Sequence, residues 1–210
     1  MPLRVLLADD HVLVRQSLKS LLEREGFQVV ADASDGQEAL RLAASLQPDI
    51  AVMDISMPIL NGLNAAREMS RSSPKIKTIL LTQHEESQYV SEAMEAGVKG
   101  YVLKNQVASD LLLAIRQVSR GQTYLSPGVS QAVVEAYHSK SEKPRNPLTS
   151  RERQVLQLIA EGKSTKDVAS LLGISVKTAE SHRTRLMHKL DIHETASLVL
   201  YAVRQGIVQP

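Results

Sequence analysis

Cysteine is absent from the 210 residues, which excludes disulfides, thiolate metal sites and a cysteine nucleophile. Tryptophan is absent too, phenylalanine occurs once, and aromatic residues make up 3% of the chain. A core must therefore be built from Leu, Val, Ile, Ala and Met. No apolar run approaches the ~18 residues of a membrane span. The N-terminal MPLRVLLADD meets two acids too early for a secretory signal. The expectation is a cytoplasmic chain with no membrane partner. Internal repeats and low-complexity tracts are also missing. What remains is 43% hydrophobic and 23% charged, an ordinary globular composition, at a length that suits one large or two small domains. The formal net charge of +2 hides an asymmetry. Residues 1–122 carry 13 Lys+Arg against 15 Asp+Glu, a net of −2, and residues 123–210 carry 12 against 8, a net of +4. A nucleic-acid partner would meet the basic back half.

The front of the chain alternates apolar runs with amphipathic segments. Strands are expected at 3–8, over FQVVADA, and at 49–53, 76–81 and 100–103. Between and after them, helices are expected over 11–25, GQEALRLAASL, NGLNAAREMSR, 86–96 and VASDLLLAIRQVSRG. Five βα units in this length predict an α/β fold, a parallel sheet with helices on both faces. The solid apolar strands agree with burial on both sides. The pattern then weakens. SPGVSQAVVEAYHSK is a candidate helix, and HSKSEKPRNP, polar and twice interrupted by proline, reads as a linker. Beyond it the chain is all helical, with helices over 151–161, 165–172, 176–190 and about 194–205, each preceded or followed by capping residues. The organisation is thus 1–122 as one domain, 123–146 as a partly helical linker, and 147–210 as a small all-α domain.

Ligands of a doubly wound sheet bind at the carboxyl ends of its strands. Asp9 and Asp10 follow the first strand, Asp54 the third, Thr82 the fourth and Lys104 the fifth. One Asp at a strand end is usually a cap or turn residue, but five such groups on four strand ends are a site. Three carboxylates repel one another, and a hard cation such as Mg2+ relieves the repulsion while keeping coordination positions for phosphate oxygens. One carboxylate can then attack phosphorus, with Lys104 and Thr82 stabilising the equatorial oxygens.

These residues carry a family resemblance. Asp9-Asp10, Asp54 followed by Met57-Pro58 and Gly62, Thr82, and Tyr101 three residues before Lys104 resemble the receiver domains of two-component systems over 3–121. The resemblance implies a flavodoxin-like five-stranded sheet of order 2-1-3-4-5. It makes Asp54 the phosphoacceptor of a sensor histidine kinase, and Asp10, Asp54 and the Ser56 backbone carbonyl the Mg2+ ligands, with Asp9 binding the ion directly or through water. Thr82 and Tyr101 become the switch pair, Thr82 moving inward to a phosphoryl oxygen and Tyr101 following, while Lys104 contacts the phosphoryl group. Ser56 and His84 occupy positions that tune phosphoryl lifetime, and Asn105 stands where many receivers have proline, so a cis peptide is not to be assumed there.

In the back half, helix 165–172, Gly173-Ile174 and helix 176–190 have helix-turn-helix spacing. Ala179, Leu186 and Leu190 turn inward, leaving a basic and polar face suited to the major groove. LTSRERQVLQLIAEGKSTKDVASLLGISVKTAESHRTRLMHKLDI resembles the LuxR-type, or NarL/FixJ-type, DNA-binding domain over 147–207. That resemblance makes 176–190 the recognition helix of a promoter-binding protein. Glu180, Ser181 and Thr184 then face base edges, and Lys177, Arg183, Arg185 and Lys189 meet phosphates, unless Arg183 packs on the domain body. Thr165 and Lys166 reach the DNA backbone, and the last helix pairs two copies.

The expected function is a DNA-binding response regulator, not an enzyme beyond its own phosphoryl transfer and autodephosphorylation. Phosphorylation of Asp54 would promote homodimerisation, exposure of the recognition helix, or both. The alternative is a phosphorylation-independent DNA-binding regulator whose receiver only dimerises. An Asp-nucleophile phosphatase of the haloacid dehalogenase type fits poorly, because it wants Asp-x-Asp after the first strand.

Overall fold

The computed structural model describes residues 2–83, 87–130 and 148–208, which divide into two compact units. The first unit holds β1 (Arg4–Ala8), α1 (Val12–Arg24), β2 (Gln28–Ala33), α2 (Gly36–Leu46), β3 (Ile50–Asp54) and α3 (Gly62–Ser72). It continues with β4 (Lys77–Thr82), α4 (Ser87–Glu95), β5 (Gly100–Leu103), a short 3-10 turn at Lys104–Gln106, α5 (Val107–Ser119) and β6 (Tyr124–Leu125). All strands pair in parallel, in the order β2-β1-β3-β4-β5-β6. The strands of the sheet's middle are buried nearly throughout, as continuous apolar runs require. Successive side chains alternate between faces. Val5, Leu7, Ile50, Val52, Ile79 and Leu81 join Leu18 and Leu22 of α1 and Leu111 and Ile115 of α5 in one core. Leu6, Met53 and Leu80 are buried on the alternate positions, and α2 and α3 contact β1 and β4.

The expected five-stranded sheet has a sixth strand. β6 lies inside the stretch read as linker and continues the sheet beyond β5, with Gly100 opposite Tyr124 and Tyr101 opposite Leu125. It is held at its end by Ser126, which is buried. The Ser126 N–H donates to the Tyr101 carbonyl at 3.0 Å. Its hydroxyl accepts from the Leu103 N–H at 3.1 Å and donates to Asp110 Oδ2 at 2.7 Å. Residues 127–130 are helical. The rest of the candidate linker helix, the polar linker and His84 lie outside the described residues.

The second unit comprises α6 (Ser150–Ala160), α7 (Thr165–Leu171), α8 (Val176–Leu190) and α9 (Thr195–Arg204). The sequence explains the starts. Thr149 and Glu152 form a reciprocal capping box at α6, as Ser164 and Asp167 do at α7, and the Ser175 side chain accepts from the Thr178 N–H at α8. Gly173, with φ +62, supplies the left-handed residue that turns α7 into α8. Leu156, Leu158, Val168, Ala179, Leu186 and Leu198 make the centre of a single core. Among the described residues, no helix is long and apolar enough to cross a membrane.

Candidate metal centre and nucleic-acid interface

Parallel strands all point their carboxyl ends at one edge of the sheet, so the pocket assembles there from separate strand ends. Asp9 and Asp54 are almost fully buried, with 1% and 2% of their surface exposed. Asp9 is fixed by its neighbours. Its Oδ1 accepts from the His11 N–H at 2.8 Å, and its carbonyl accepts from Arg15 Nη1 at 2.6 Å. Arg15 is itself paired with Asp32, Nε to Oδ2 at 3.0 Å. Lys104 Nζ bridges the two buried acids, 3.2 Å from Asp9 Oδ2 and 2.9 Å from Asp54 Oδ2. The contact to Asp54 has ion-pair distance but lies off a hydrogen-bond line, and Asp54 Oδ2 is buried without a hydrogen-bond donor, as is Asp10 Oδ1.

Burial raises the pKa of Asp54, and this outweighs the opposing charge of Lys104, while the negative charge of Asp9 pushes the same way as burial. For Lys104, burial alone would lower the pKa, but Asp54 and Asp9 overcome it and hold the ammonium above its ordinary value. The pocket is therefore a buried pair of acids with one firmly charged cation and orphaned carboxylate oxygens. Asp9, Asp10, His11 and Asp54 each offer a ligand atom within 4.8 Å of the others. A carboxylate-rich donor set with unsatisfied oxygens fits a hard divalent cation such as Mg2+.

Of the other expected site residues, Thr82 ends β4 one position beyond the Asp54–Leu81 pair and is 1% exposed. Tyr101 has no exposed surface and stands opposite Leu80 and Leu125, so its ring is already inward. Ser56 lies in the turn after β3, and its N–H bonds the Asp54 carboxylate. Sequence reasoning missed His11 and Arg15. The only signal was their spacing: His11 directly follows the Asp pair, and Arg15 is one helical turn further on.

In the second unit, Lys177, Glu180, Ser181, Thr184 and Arg185 are all exposed on α8, opposite the buried Ala179 and Leu186. Lys166 is exposed and Thr165 half-buried at the start of α7. Two of the expected phosphate contacts are tied to the body of the unit. Arg183 Nη2 donates to Thr195 Oγ1 at 2.8 Å, the packing alternative foreseen for it, and Lys189 Nζ lies 2.7 Å from Oε2 of the buried Glu152. His182 sits half-buried on α8. Its pKa is lowered by burial first and by Arg151 and Arg185 next, so the ring is neutral at pH 7.

Residues 5–116 match the family described as "Response regulator receiver domain" and residues 146–202 the family described as "Bacterial regulatory proteins, luxR family". The chain is 37% identical over 215 residues to the oxygen regulatory protein NreC of Staphylococcus haemolyticus, covering 98% of this chain and 99% of the relative. It is 38% identical over 209 residues to the response regulator GacA of Pseudomonas aeruginosa, covering 98% of each. Among solved structures it is similar to RcsB of Salmonella enterica serovar Typhimurium bound to a promoter in the presence of the phosphomimetic BeF3-. That similarity has a TM-score of 0.65 and 26% identity, and covers 96% of this chain and 98% of the other.

Proposed function

Since the chain belongs to the response regulators of two-component systems, in the NarL/FixJ group that joins a receiver to a LuxR-type DNA-binding domain, we propose that it is a promoter-binding regulator switched by phosphorylation of Asp54. Members of this family are transcription regulators rather than classical enzymes. The domains are a receiver over 1–122, supported at its edge by β6, a linker to 146, and a DNA-binding domain over 147–210. The chain acts in the cytoplasm, where its kinase and DNA are.

The observation that carries the reading is the buried Asp54 carboxylate beside Lys104. An Asp54 oxygen attacks the phosphorus of a phosphohistidine on the sensor kinase. The P–N bond breaks, its electron pair stays on the imidazole nitrogen, and an acyl phosphate forms. Lys104 offsets charge on the transferred oxygens, and the Thr82 hydroxyl donates to one of them. Asp9, Asp10, Asp54 and the Ser56 carbonyl would hold Mg2+, which supplies charge neutralisation on the phosphoryl oxygens. Phosphorylation adds about −1.5 to −2 charge. That charge draws Thr82 inward, favours the inward position of Tyr101, and changes the α4–β5 surface as a population shift. The result is a homodimer whose two α8 helices read two half-sites, with affinity gained through effective concentration. Glu180, Ser181 and Thr184 face base edges. Lys177 and Arg185 meet phosphates, joined by Lys166 and Thr165, and by Arg183 and Lys189 where their internal ties release.

Intact-mass measurement after incubation with acetyl phosphate and Mg2+ tests this. The expected result is gain of one phosphoryl group by the wild type and none by Asp54→Asn. Equal gain by both would place the phosphoryl group elsewhere.

A further inference from the structure

The pocket contains a nitrogen that the proposed function leaves unused. His11 follows the Asp pair and is the residue before the first turn of α1, and its side chain makes no capping bond to the helix. Its backbone is pinned to Asp9 Oδ1, and its Nδ1 lies 2.8 Å from Asp10 Oδ1 and 3.5 Å from Asp9 Oδ1. Despite that approach, Asp10 Oδ1 has no hydrogen-bond partner. Two electron-rich atoms this close, without a proton on the line between them, repel each other unless a cation lies beside both. The spacing is that of neighbouring ligands, since an octahedral ion with ligands at ~2.1 Å sets adjacent ones ~3.0 Å apart. An independent sign of a missing ligand is Asp54, 2% exposed, whose Oδ2 is also buried without a donor.

We infer that His11 Nδ1 becomes a direct ligand when this pocket holds a divalent ion that accepts imidazole, and that it shifts the site's preference from Mg2+ toward such ions. Mg2+ favours oxygen donors and binds imidazole poorly, whereas Co2+ and Ni2+ take imidazole together with carboxylate. A site of oxygen donors plus one neutral imidazole therefore gains affinity for Ni2+ and Co2+ without gaining it for Mg2+. The inference rests on the reading of this pocket as a divalent-metal site.

The test is calorimetric titration of the full chain with Mg2+ and with Ni2+, following the binding that Asp10→Ala removes. In His11→Ala, Ni2+ affinity is expected to fall by roughly tenfold or more, while Mg2+ affinity changes less than about twofold because no Mg2+ ligand is lost. Pulsed EPR of the Co2+-loaded chain is expected to show imidazole nitrogen coupling in the wild type and none in His11→Ala. Loss of Mg2+ and Ni2+ affinity in equal proportion, no loss of either, or a wild-type spectrum without nitrogen coupling would overturn the His11 assignment and leave the pocket a metal site. Absence of any Asp10-dependent binding would overturn the metal site itself.

Discussion

Gly62 is the position where a single methyl group tests the architecture of the pocket. It opens α3 and lies against the end of β3. A Cβ there would stand 2.0 Å from the Asp54 carbonyl oxygen, 2.9 Å from the Asp54 carbonyl carbon and 3.2 Å from Ile55 Cα. Comfortable contact is ~3.5 Å or more, so the overlap exceeds 1 Å, and every obstacle is backbone that cannot swing aside. The backbone is also tethered, with Ile55 N–H bonded to the Leu81 carbonyl at 3.0 Å and Gly62 N–H to the Ile55 carbonyl at 2.9 Å. Overpacking against yielding side chains costs about 1–3 kcal/mol, and a distorted backbone hydrogen bond adds about 1 kcal/mol. Gly62→Ala is therefore expected to destabilise the receiver by about 3 kcal/mol, a fall of roughly 10 °C in its melting temperature. The displaced residue is the phosphoacceptor, so the rate of labelling by acetyl phosphate falls as well, on the order of a hundredfold for a shift near 1 Å. Gly128→Ala is the control, because its added methyl makes only an ordinary 3.6 Å contact with Leu103. It should stay within about 0.5 kcal/mol of wild type. Differential scanning calorimetry of both variants decides the matter. A Gly62→Ala chain that melts with the wild type refutes the reasoning.

Three further outcomes are expected from the electrostatics. Burial holds the Asp54 pKa above its ordinary value, so the folded chain binds that proton more tightly than the unfolded one. The stability contribution is present below the unfolded pKa of about 3.9 and lost as pH rises through the folded value. Asp54→Asn in chelator should therefore melt higher than wild type at neutral pH, by on the order of 1 kcal/mol, with the gain vanishing in acid; equal midpoints at pH 7 would count against it. In the DNA-binding unit, burial would raise the pKa of Glu152, but hydrogen bonds from Lys189 and Thr149 outweigh it and lower the pKa. Lys189→Ala should cost about 2 kcal/mol near neutrality, measured by denaturant unfolding, and the gap should close as pH falls below about 4.3, where the pair's contribution is lost. Tyr124, raised to about 12 by burial and then by the charge and bond of Asp110, should keep its proton in an alkaline absorbance titration. Asp110→Asn should bring its titration toward about 10, and an unmoved titration would deny the contact.

The sheet, its parallel direction and its strand-end acids were legible because buried strands write themselves as apolar runs and topology then gathers their ends. The helix starts in the second unit were legible because Thr149, Ser164 and Ser175 cap as their side chains dictate. β6 was not, since two residues between Gly121 and Pro127 are too few for any period to show, and its anchor, Ser126 to Asp110 and Leu103, is tertiary. The charged face of α8 was visible, and so was the chance that Arg183 packs on the body of the domain, but not that Lys189 folds back onto Glu152. Long stems let either charge reach solvent or the body of the domain with the same sequence spacing. His11 drew no reading from the sequence, because its nearness to Asp10 Oδ1 depends on how β1 hands over to α1.

The most direct test of the account is the affinity and mass of the complex on a DNA duplex selected from a random pool by the chain itself, measured by fluorescence anisotropy and light scattering with Mg2+, with and without acetyl phosphate. Tighter binding and a doubled mass are expected after phosphorylation in the wild type, with Asp54→Asn unchanged by the treatment. Equal affinity and equal mass in all four conditions would contradict this expectation and leave a DNA-binding protein whose receiver does not use phosphate.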